Sequence, residues 1–524
     1  MSIRASNTLD QTDVTRSILA MRGITDELEV FQFAQGKFSQ CAEIVDKTLV
    51  ASIKEMLSPS NKIVIFGDYD ADGVTAAAIA KLYVPHASVI IPERAMGYGL
   101  TDAALDAIPH DTDVVLTVDC GITAIEQIDE LKRRGTGVIV TDHHEIQGKI
   151  PDCIVVHPTR SKCALKQYSG SGVAYKLMNQ LFGDLPSIRG YGVQLAAIGT
   201  ICDVMPVTGE NREIIKDGLR MMMMRPLPGV KALFYALRAD HRGASESFIA
   251  FSLGPTLNAC GRLGNARLAY EILASSNFNS AVSLAKDAVK LNNERKSITS
   301  SAAEKLNILS EGPVIIAEAE GRHRGSIGLI ASKIANKRHL PVIVIVADED
   351  NRVVYGSIRG YGEFNCSEFI DYCGSCLTTG GGHKGAAGFS APLEHVSCLI
   401  ECAETFASGM TFTNSQESVY DFYANLDIVP SIYKSVFALA PYGNAFEQPT
   451  FVCRGKLTGI RYLGNSNKHA ALTIDDWQEV LMFNLDAGLP EINSNVTIAY
   501  TVSKPKTLDV DYELIGTEIE VNND

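Results

Sequence analysis

The 524-residue sequence has no run of apolar residues long enough to cross a bilayer, since a membrane-spanning helix needs about 20 of them. Its first residues, MSIRASNTLDQTDVTRS, lack the apolar core of a secretory signal peptide. The 12 cysteines are scattered rather than spaced as a disulfide framework, so we expect free thiols in a reducing compartment. Together these absences predict a cytoplasmic protein that does not bind membranes.

The sequence also lacks an excess of positive charge. Its 47 Lys and Arg residues are outnumbered by 61 Asp and Glu residues, which gives a net charge of −14. This balance excludes a protein that coats polyanions without specificity, although a local basic groove on an acidic protein can still bind nucleic acid. The length is typical of about two to four domains, and we expect a monomer.

The most informative stretch is IVIFGDYDADGVTAAAIA, residues 63–80. Its β-branched and aromatic start predicts a buried strand, and an Ala-rich segment with helical character follows a tight turn. Three carboxylates, Asp68, Asp70 and Asp72, alternate at the tip of that strand. One Asp would suffice to cap the following helix, whereas three that repel one another favour a site for Mg²⁺ or Mn²⁺.

Strand and helix patterns alternate from residue 62 onward, as is typical of a parallel sheet with right-handed crossovers in an α/β protein. A helix is predicted between the third and fourth strands, over residues 123–134. The predicted strands cover residues 62–66, 87–91, 113–118, 137–141 and 153–156.

Acidic and imidazole side chains follow two further strands of this predicted sheet. Asp119 ends the strand in VLTVDCGIT, and the motif VIVTDHHE places Asp142, His143 and His144 at the end of the next. Asp203 adds a carboxylate in AAIGTICDVMPV. Since the carboxyl ends of parallel strands share one edge of a sheet, these groups fit a two-metal centre acting on a phosphate.

Four motifs in this order, GDYDADG, VDCG, DHH and GTICDVMP, resemble those of the DHH phosphoesterase superfamily. Three more, GPTLNACGRLGNA (254–266), GRHRGSIGLIASKIA (321–335) and GGGHKGAAGFS (380–390), are similar to its RecJ branch, the single-strand-specific 5′→3′ DNA exonucleases. The similarity extends from about Ser17 to Ser390, with a weaker tail.

The resemblance implies two ions, Mn²⁺ or Mg²⁺, with Asp119 bridging them and His143 and Asp203 binding the second. His144 is expected either to contact phosphate or to support a metal ligand, rather than to bind an ion directly. Some members carry a histidine where this sequence has Phe66, so we expect the first ion to be held less tightly. The implied metal-binding residues are Asp68, Asp70, Asp72, Asp119, His143 and Asp203. The implied catalytic residues are Asp70, Asp72, Asp119, His143, His144 and Asp203.

Further residues are expected to bind the DNA backbone and its 5′ end, because Arg suits bidentate phosphate contacts. Bare amides in GGGH could cradle a phosphate, although the same letters fit a tight turn before a helix. Each arginine taken alone could also be a surface residue. The implied substrate-binding residues are Arg94, Asn258, Arg262, Ser357, Arg359, Gly381, Gly382 and His383.

The pattern divides the chain into five parts. The predicted connector carries four basic residues, which either form a solvated face or contact DNA. They are Lys286, Lys290, Arg295 and Lys296. The parts are a helical lead-in (1–60), the DHH catalytic domain (61–274), a helical connector (275–311), a second α/β DHH-associated domain (312–411) and a small OB-like β-barrel (412–524).

Short strands with turns at GNSN and INSN predict a small barrel, and the resemblance implies that it is an OB-fold. OB-folds bind single strands through aromatic stacking. Tyr462, Trp477 and Phe483 are available for this. However, residues 411–524 contain 7 Lys and Arg against 15 Asp and Glu, a net charge of −8. We therefore expect weak DNA binding or protein docking, and deletion of 412–524 to lower processivity more than single-turnover cleavage.

A CxxC sequence, CGSC, occupies residues 373–376, with Cys366, Cys398 and Cys402 nearby. A zinc site needs a second pair at ligand spacing, and the context does not match a redox motif. Because no second CxxC is present, we expect buried or idle thiols.

The sequence therefore predicts a metal-dependent exonuclease that hydrolyses single-stranded DNA from its 5′ end to 5′-mononucleotides, in DNA repair and recombination. A helicase and a single-strand-binding protein are possible partners. Two alternatives stay open. One is a DHH phosphodiesterase for short oligonucleotides or cyclic dinucleotides, and the other is an inactive DHH scaffold of a replication complex.

Overall fold

The chain is described by a computed structural model over residues 3–35, 43–146, 148–410, 412, 418–464, 468–483, 485, 488–505 and 510–522. Three sheets with five, six and seven strands are joined by helices. The predicted α/β architecture with a C-terminal barrel is confirmed. In the described part of the chain, no helix is both long and apolar enough to span a membrane.

The first 60 residues are not purely helical as predicted, because the described chain begins with a strand. This strand, β1, pairs in parallel with residues 418–423 of the C-terminal sheet. Its sequence, IRASNT, has no clear apolar alternation, so the strand depends on its distant partner. The elements here are β1 (Ile3–Thr8), α1 (Val14–Met21), α2 (Glu27–Gln35) and α3 (Lys47–Met56).

The five-stranded sheet is entirely parallel, in the order β3-β2-β4-β5-β6, and all five predicted strands are confirmed. Its central strands consist of β-branched and aliphatic residues buried on both faces, as parallel sheets require. Its elements are β2 (Ile63–Gly67), α4 (Ala71–Tyr83), β3 (Ser88–Ile90), α5 (Asp102–Leu105), β4 (Val114–Val118), α6 (Ile125–Arg133), β5 (Gly137–Thr141) and β6 (Ile154–Val156).

A helical layer follows this sheet. The alanines of α4 are buried and let α7 and α8 pack closely against it. The predicted connector is one long helix, α14, but its last residues belong to a strand of the next sheet. The helices are α7 (Gly170–Phe182), α8 (Tyr191–Cys202), α9 (Gly209–Met224), α10 (Pro228–Ala236), α11 (Glu246–Phe248), α12 (Gly254–Arg262), α13 (Ala266–Ala274) and α14 (Phe278–Glu304).

The six-stranded sheet has the order β11-β12-β10-β9-β8-β7. The GGGH segment forms its exposed edge strand β11 and pairs with β12, so the alternative of a turn before a helix is wrong. The elements are β7 (Asn307–Glu311), β8 (Ile315–Glu318), α15 (Ile327–Arg338), β9 (Val342–Asp348), β10 (Val353–Arg359), α16 (Cys366–Tyr372), β11 (Thr379–His383), β12 (Ala386–Pro392) and α17 (Val396–Phe406).

The expectation of free thiols throughout is wrong at one place in this second domain. Cys376 and Cys398 form a disulfide, while nine other described cysteines are free. The pair meets because the β11–β12 hairpin reverses the chain and brings α17 back against α16.

The seven-stranded sheet contains the predicted barrel. Strand β14 pairs with both β15 and β17, and β18 pairs with both β16 and β17, so five strands close on themselves. Strands β13 and β1 extend the sheet from β14. The elements are β13 (Ser418–Tyr423), α18 (Val429–Ala438), β14 (Phe451–Leu463), β15 (His469–Ile474), β16 (Gln478–Phe483), β17 (Asn495–Ser503) and β18 (Glu513–Val521).

The barrel and the catalytic domain share one hydrophobic core. Arg212 of α9 is fully buried and donates hydrogen bonds to the carbonyl oxygens of Leu439 and Pro441. Its guanidinium lies 5.1 Å from the ring of Phe33 and 4.8 Å from that of Phe446. The N-terminal segment, the catalytic domain and the barrel therefore form one continuous packing unit.

Candidate metal centre and substrate site

The carboxylates sit where strands and helices of the catalytic domain end. Asp68 follows β2 directly and is buried. Asp70 caps α4, because its side chain accepts hydrogen bonds from the amides of Asp72 (2.9 Å) and Gly73 (3.0 Å). Asp119 follows β4 with a φ of 61°, a left-handed conformation that Asp tolerates better than most residues.

These side chains form two separate groups of possible metal ligands, and Asp119, His143 and His144 form a third that overlaps both. In the first, oxygens of Asp68, Asp70 and Asp119 lie within 4.8 Å of one another. In the second, an oxygen of Asp72, an oxygen of Asp203 and a ring nitrogen of His143 lie within the same distance of one another. His143 Nε2 lies 3.1 Å from Asp119 Oδ1, so the groups adjoin at these two residues. Each group could hold one divalent cation, and Asp119 of the first group adjoins the second.

Hard divalent cations fit the donor atoms of this site. Three buried oxygens, Asp68 Oδ1, Asp119 Oδ1 and Asp203 Oδ2, have no hydrogen-bond partner within the described structure. Burial, followed by the charge of Asp70, raises the pKa of Asp68 to about 8. Burial, followed by the charges of Asp72 and Asp70, raises the pKa of Asp203 to about 8. Cations would neutralise this uncompensated charge.

Asp72 is fixed by the start of helix α7. Its Oδ2 accepts a hydrogen bond from the amide of Gly170 (2.6 Å), and its Oδ1 accepts one from the amide of Ser171 (3.0 Å). Free amides and the positive end of the helix dipole both favour a carboxylate there. The amides orient the side chain, and its remaining lone pairs face the second ligand group.

Three glycines make room for the carboxylates. A β-carbon at Gly170 would lie 2.1 Å from Asp119 Oδ1, and one at Gly199 would lie 2.2 Å from Asp72 Oδ1. A β-carbon at Gly73 would lie 2.6 Å from the β-carbon of Asp68. Any side chain at these positions would displace a ligand.

His144 lies at the open side of the site, with 41% of its side chain exposed. Its Nδ1 is 2.8 Å from Asp142 Oδ1, and its Nε2 is 2.8 Å from the hydroxyl of Tyr98. Burial lowers the pKa of His144, but the hydrogen bond to Asp142 and nearby carboxylate charges outweigh this and raise it. A positively charged imidazole facing solvent suits phosphate binding.

Asp142 was expected at this strand end among the groups of the metal centre, without a role of its own, and Tyr98 was not identified from the sequence. Asp142 is buried and also accepts hydrogen bonds from the amides of Ile122 (2.9 Å) and His143 (2.7 Å). Its position at a strand end was a usable signal. Tyr98 lies in the segment after β3 that drew attention through Arg94, and only the fold brings it to His144.

Phe66 does not border the ligand groups. It is fully buried on the other side of the sheet, in a cluster that includes Leu100 and Val115. The first group therefore has three carboxylates and no imidazole, as expected from the sequence.

Arginines from three segments approach the first ligand group. The guanidinium of Arg94 lies 5.3 Å from the ring centre of Tyr69. Tyr69 is the residue between Asp68 and Asp70 in the chain. Burial, with the nearby charges of Arg94 and Arg295, lowers the pKa of Arg262 to about 10. Arg295 differs from the exposed lysines of α14, because it is half-buried and close to Arg262.

Asn258 and Arg262, both predicted to contact the substrate, also form hydrogen bonds within the protein. The side-chain oxygen of Asn258 accepts a hydrogen bond from the amide of Ala71 (2.8 Å), so Asn258 positions the start of α4 as well. Arg262 donates to the carbonyl oxygen of Gly325 (3.3 Å), which joins the catalytic domain to the second domain.

The second-domain residues do not meet the carboxylate cluster. Arg359 donates to Ser332 Oγ (2.8 Å) and to Ser357 Oγ (3.0 Å), which holds its guanidinium against α15. Gly381, Gly382 and His383 lie on the exposed strand β11. Among the described residues, no hydrogen bond or ion pair links these five to the metal-ligand groups.

Three family models match successive parts of the chain. They are the DHH family N-terminal domain over residues 62–200, the DHHA1 domain over 311–409 and the RecJ OB domain over 423–506. These segments correspond to the five-stranded sheet, the six-stranded sheet and most of the barrel.

Known proteins resemble the chain over most of its length. It is 33% identical to the single-stranded-DNA-specific exonuclease RecJ of Bacillus subtilis, over 80% of this chain and 56% of that protein. It is 30% identical to Escherichia coli RecJ, over 72% of this chain and 71% of that protein.

A solved structure extends the comparison to the whole fold. The crystal structure of Thermus thermophilus RecJ in complex with Mn²⁺ covers 100% of this chain and 80% of its own, with a TM-score of 0.82 and 25% identity. The chain thus spans little more than half of the Bacillus subtilis protein but most of the Thermus thermophilus one. By sequence and by fold, the chain belongs to the RecJ family of the DHH superfamily.

Proposed function

We propose that the protein is a metal-dependent 5′→3′ exonuclease that hydrolyses single-stranded DNA to 5′-mononucleotides. The observation that carries this proposal is the pair of adjoining ligand groups, Asp68–Asp70–Asp119 and Asp72–His143–Asp203. The names of the relatives from Bacillus subtilis and Escherichia coli support the substrate. The Mn²⁺ in the Thermus thermophilus structure supports the metal, and Mg²⁺ suits the same oxygen ligands.

When bound, two Mn²⁺ or Mg²⁺ ions would polarise the scissile phosphate and lower the pKa of the attacking water. Asp119 belongs to the first ligand group and lies 3.1 Å from His143 of the second, so it is placed to contact both ions. Asp72 is held by the amides of α7, so that it is oriented before a substrate arrives. Such preorganisation avoids reorganisation during the reaction.

His144 would hold the scissile phosphate. Asp142 fixes the ring through Nδ1, so that Nε2 points into the open side of the site towards Tyr98. Arg94 and Arg262 would bind the neighbouring phosphates near the first group. The second domain would hold the rest of the strand with Ser357, Arg359 and the amides and imidazole of Gly381, Gly382 and His383.

The wider setting is also a proposal. The enzyme would act as a cytoplasmic monomer in DNA repair and recombination, on strands supplied by a helicase or covered by a single-strand-binding protein. Exposed Tyr462, Trp477 and Phe483 on the barrel (51%, 58% and 41% exposed) offer stacking surfaces. The acidic charge around them would keep that contact weak.

Release of mononucleotides from a 5′-labelled strand tests the proposal, with Mn²⁺ or Mg²⁺, beside the same strand as duplex and as RNA. We expect the label to appear first as a mononucleotide from single-stranded DNA, with blunt duplex resistant. Hydrolysis of dinucleotides or cyclic dinucleotides alone would instead indicate a small-substrate phosphodiesterase. No cleavage with either metal would indicate an inactive scaffold.

A further inference from the structure

The second domain contains a cluster of four cysteines that the exonuclease reaction does not use. Cys373 and Cys376 lie at the end of α16 and in the turn after it. Cys398 and Cys402 lie four residues apart on α17, so they share one face of that helix. The chain separates the two pairs by the whole β11–β12 hairpin.

The sulfur atoms of this cluster converge. Those of Cys376, Cys398 and Cys402 all lie within 4.8 Å of one another, and Cys376 Sγ is 3.7 Å from Cys402 Sγ. Cys373 lies outside that group of three but adjoins it, because its thiol forms a hydrogen bond with that of Cys402. In the structure, two of the four sulfurs, those of Cys376 and Cys398, are joined as a disulfide.

The distances and the spacing suit a tetrahedral metal site. With zinc–sulfur bonds of about 2.3 Å, neighbouring sulfurs of a tetrahedral site lie about 3.8 Å apart, close to the Cys376–Cys402 separation. The paired cysteines of structural zinc sites have about two to four residues between them. C-x2-C at 373–376 and C-x3-C at 398–402 both meet this spacing. The expectation that no second cysteine pair exists was based on the CxxC spacing alone, and it missed the C-x3-C pair.

We propose that Cys373, Cys376, Cys398 and Cys402 bind one structural zinc ion in the reduced protein. Binding converts four thiols to thiolates and releases four protons, so that the site carries a charge of −2. Protein in which Cys376 and Cys398 are oxidised must first gain two electrons and two protons from a thiol reductant. Cysteine sulfur would then fill all four coordination positions of the ion, so the site would be structural rather than catalytic.

The surroundings of the cluster also favour a bound ion. Cys373 and Cys376 are buried while Cys398 is exposed, so an ion could enter from one side only. His395 Nδ1 lies 3.1 Å from the carbonyl oxygen of Cys376 and supports the turn that carries it. Zinc would tie α16 to α17 immediately before the edge strand β11.

Metal content and thiol number of the unaltered full-length protein provide the first test. We expect one zinc per chain after purification without chelator, and all 12 cysteines titrating as thiols after anaerobic denaturation with zinc chelated. A zinc-free protein with only ten titratable thiols, the two others being in the Cys376–Cys398 disulfide, would overturn the proposal. One bound iron in place of zinc would also overturn it.

Cobalt substitution separates this site from the carboxylate centre, because only sulfur ligands give a thiolate-to-cobalt charge-transfer band. We expect the band in the reduced protein, its loss in Cys402→Ser and its partial retention in Cys402→His, which keeps a zinc-binding side chain. Cys366→Ala is the matched control, because Cys366 is buried in the same domain but outside the cluster. A band that survives Cys402→Ser and Cys373→Ser would refute the assignment.

Discussion

Gly170 stands so close to Asp119 that a β-carbon on it would lie 2.1 Å from Asp119 Oδ1. The amide of the same glycine donates a hydrogen bond to Asp72. One residue at the start of α7 therefore contacts a carboxylate from each ligand group, and the separation between the two groups depends on it.

We expect Gly170→Ala to lower cleavage by about 100-fold, because a displacement of even 1 Å at a reacting centre has that effect. Folding should be retained, since Ala favours helices over Gly. Single-turnover cleavage and a thermal melt measure the two effects. Gly172→Ala is the control, because the nearest atoms to its β-carbon are 3.4 Å away. Equal activities in the two variants would contradict this role for Gly170.

Asp119→Asn should lower turnover by several orders of magnitude while the protein stays folded. Asn accepts the left-handed conformation of this position, whereas Ala would add backbone strain there. His143→Ala should have a similar effect through the second ligand group. Asp111→Asn, which breaks only a surface ion pair with Lys62, is the control. Activity near that of the unaltered protein in either site variant would refute the assignment of the metal centre.

Divalent cations should stabilise the protein more strongly as the pH rises. The pKa of Asp68 and Asp203 is about 8 in the folded protein without metal, against an ordinary value of 3.8. Without metal, the folded state therefore binds more protons, and its free energy of unfolding falls as the pH rises between these values. Bound cations would prevent this fall in the free energy of unfolding, because they stabilise the ionised carboxylates.

Thermal melts with Mn²⁺ and with chelator, from about pH 6 to about pH 8.5, test this linkage. The difference between the two melting temperatures should widen with pH and should shrink in Asp203→Asn. A difference that is independent of pH would show that proton release from these carboxylates does not accompany metal binding.

Asp142→Asn should lower the pKa of His144, because the negative charge of Asp142 and its hydrogen bond hold that pKa up. Binding of single-stranded DNA should weaken as the imidazole loses charge near neutral pH. Tyr98→Phe removes a neutral partner and should change the pKa less. Histidine NMR titrations of the metal-free protein measure both effects. An unchanged His144 titration in Asp142→Asn would contradict the proposed pairing.

Arg212→Met should destabilise the whole molecule by about 3 kcal/mol, because it leaves buried carbonyl oxygens without a donor. Arg220→Met is the control, since Arg220 lies on the same helix with an exposed side chain. Denaturant unfolding measures the difference. Equal stability of the two variants would show that the barrel and the catalytic domain are energetically separate.

The shared core also changes how the barrel can be tested. Deleting residues 412–524 would remove the carbonyl partners of Arg212 and expose apolar surface of the catalytic domain. Alanine variants of Tyr462, Trp477 and Phe483 are a better test, because all three side chains are exposed. Our prediction that processivity falls more than single-turnover cleavage applies to them.

The grouping of the candidate metal ligands at one edge of the sheet could be predicted from the sequence, because each lies within a few residues of a recognisable strand or helix end. Asp68 and Asp119 needed only the strand pattern and the rule that parallel strands share one edge. Positions that depend on contacts between distant segments could not be predicted in this way. Tyr98 reaches His144 through the packing of a loop, and Cys373 meets Cys402 across a hairpin that no periodicity indicates.

Two of the structural errors, at β1 and at the end of the connector, had the same physical origin. The apolar alternation of strand β1 is limited to Ile3 and Ala5, so its pairing with β13 stabilises it more than its own pattern does. The end of the connector became β7 because it could pair with β8. In both cases backbone hydrogen bonding to another segment outweighed local propensity.

The pairing of β1 with β13 has a consequence for how the protein is made. Ile3 lies opposite Ser418 and Thr8 lies opposite Tyr423, so residues 3–8 are synthesised more than four hundred residues before their partners. Pairings of such long range form slowly. Residues 3–8 would therefore remain an unpaired strand, open to other contacts, until β13 has been synthesised.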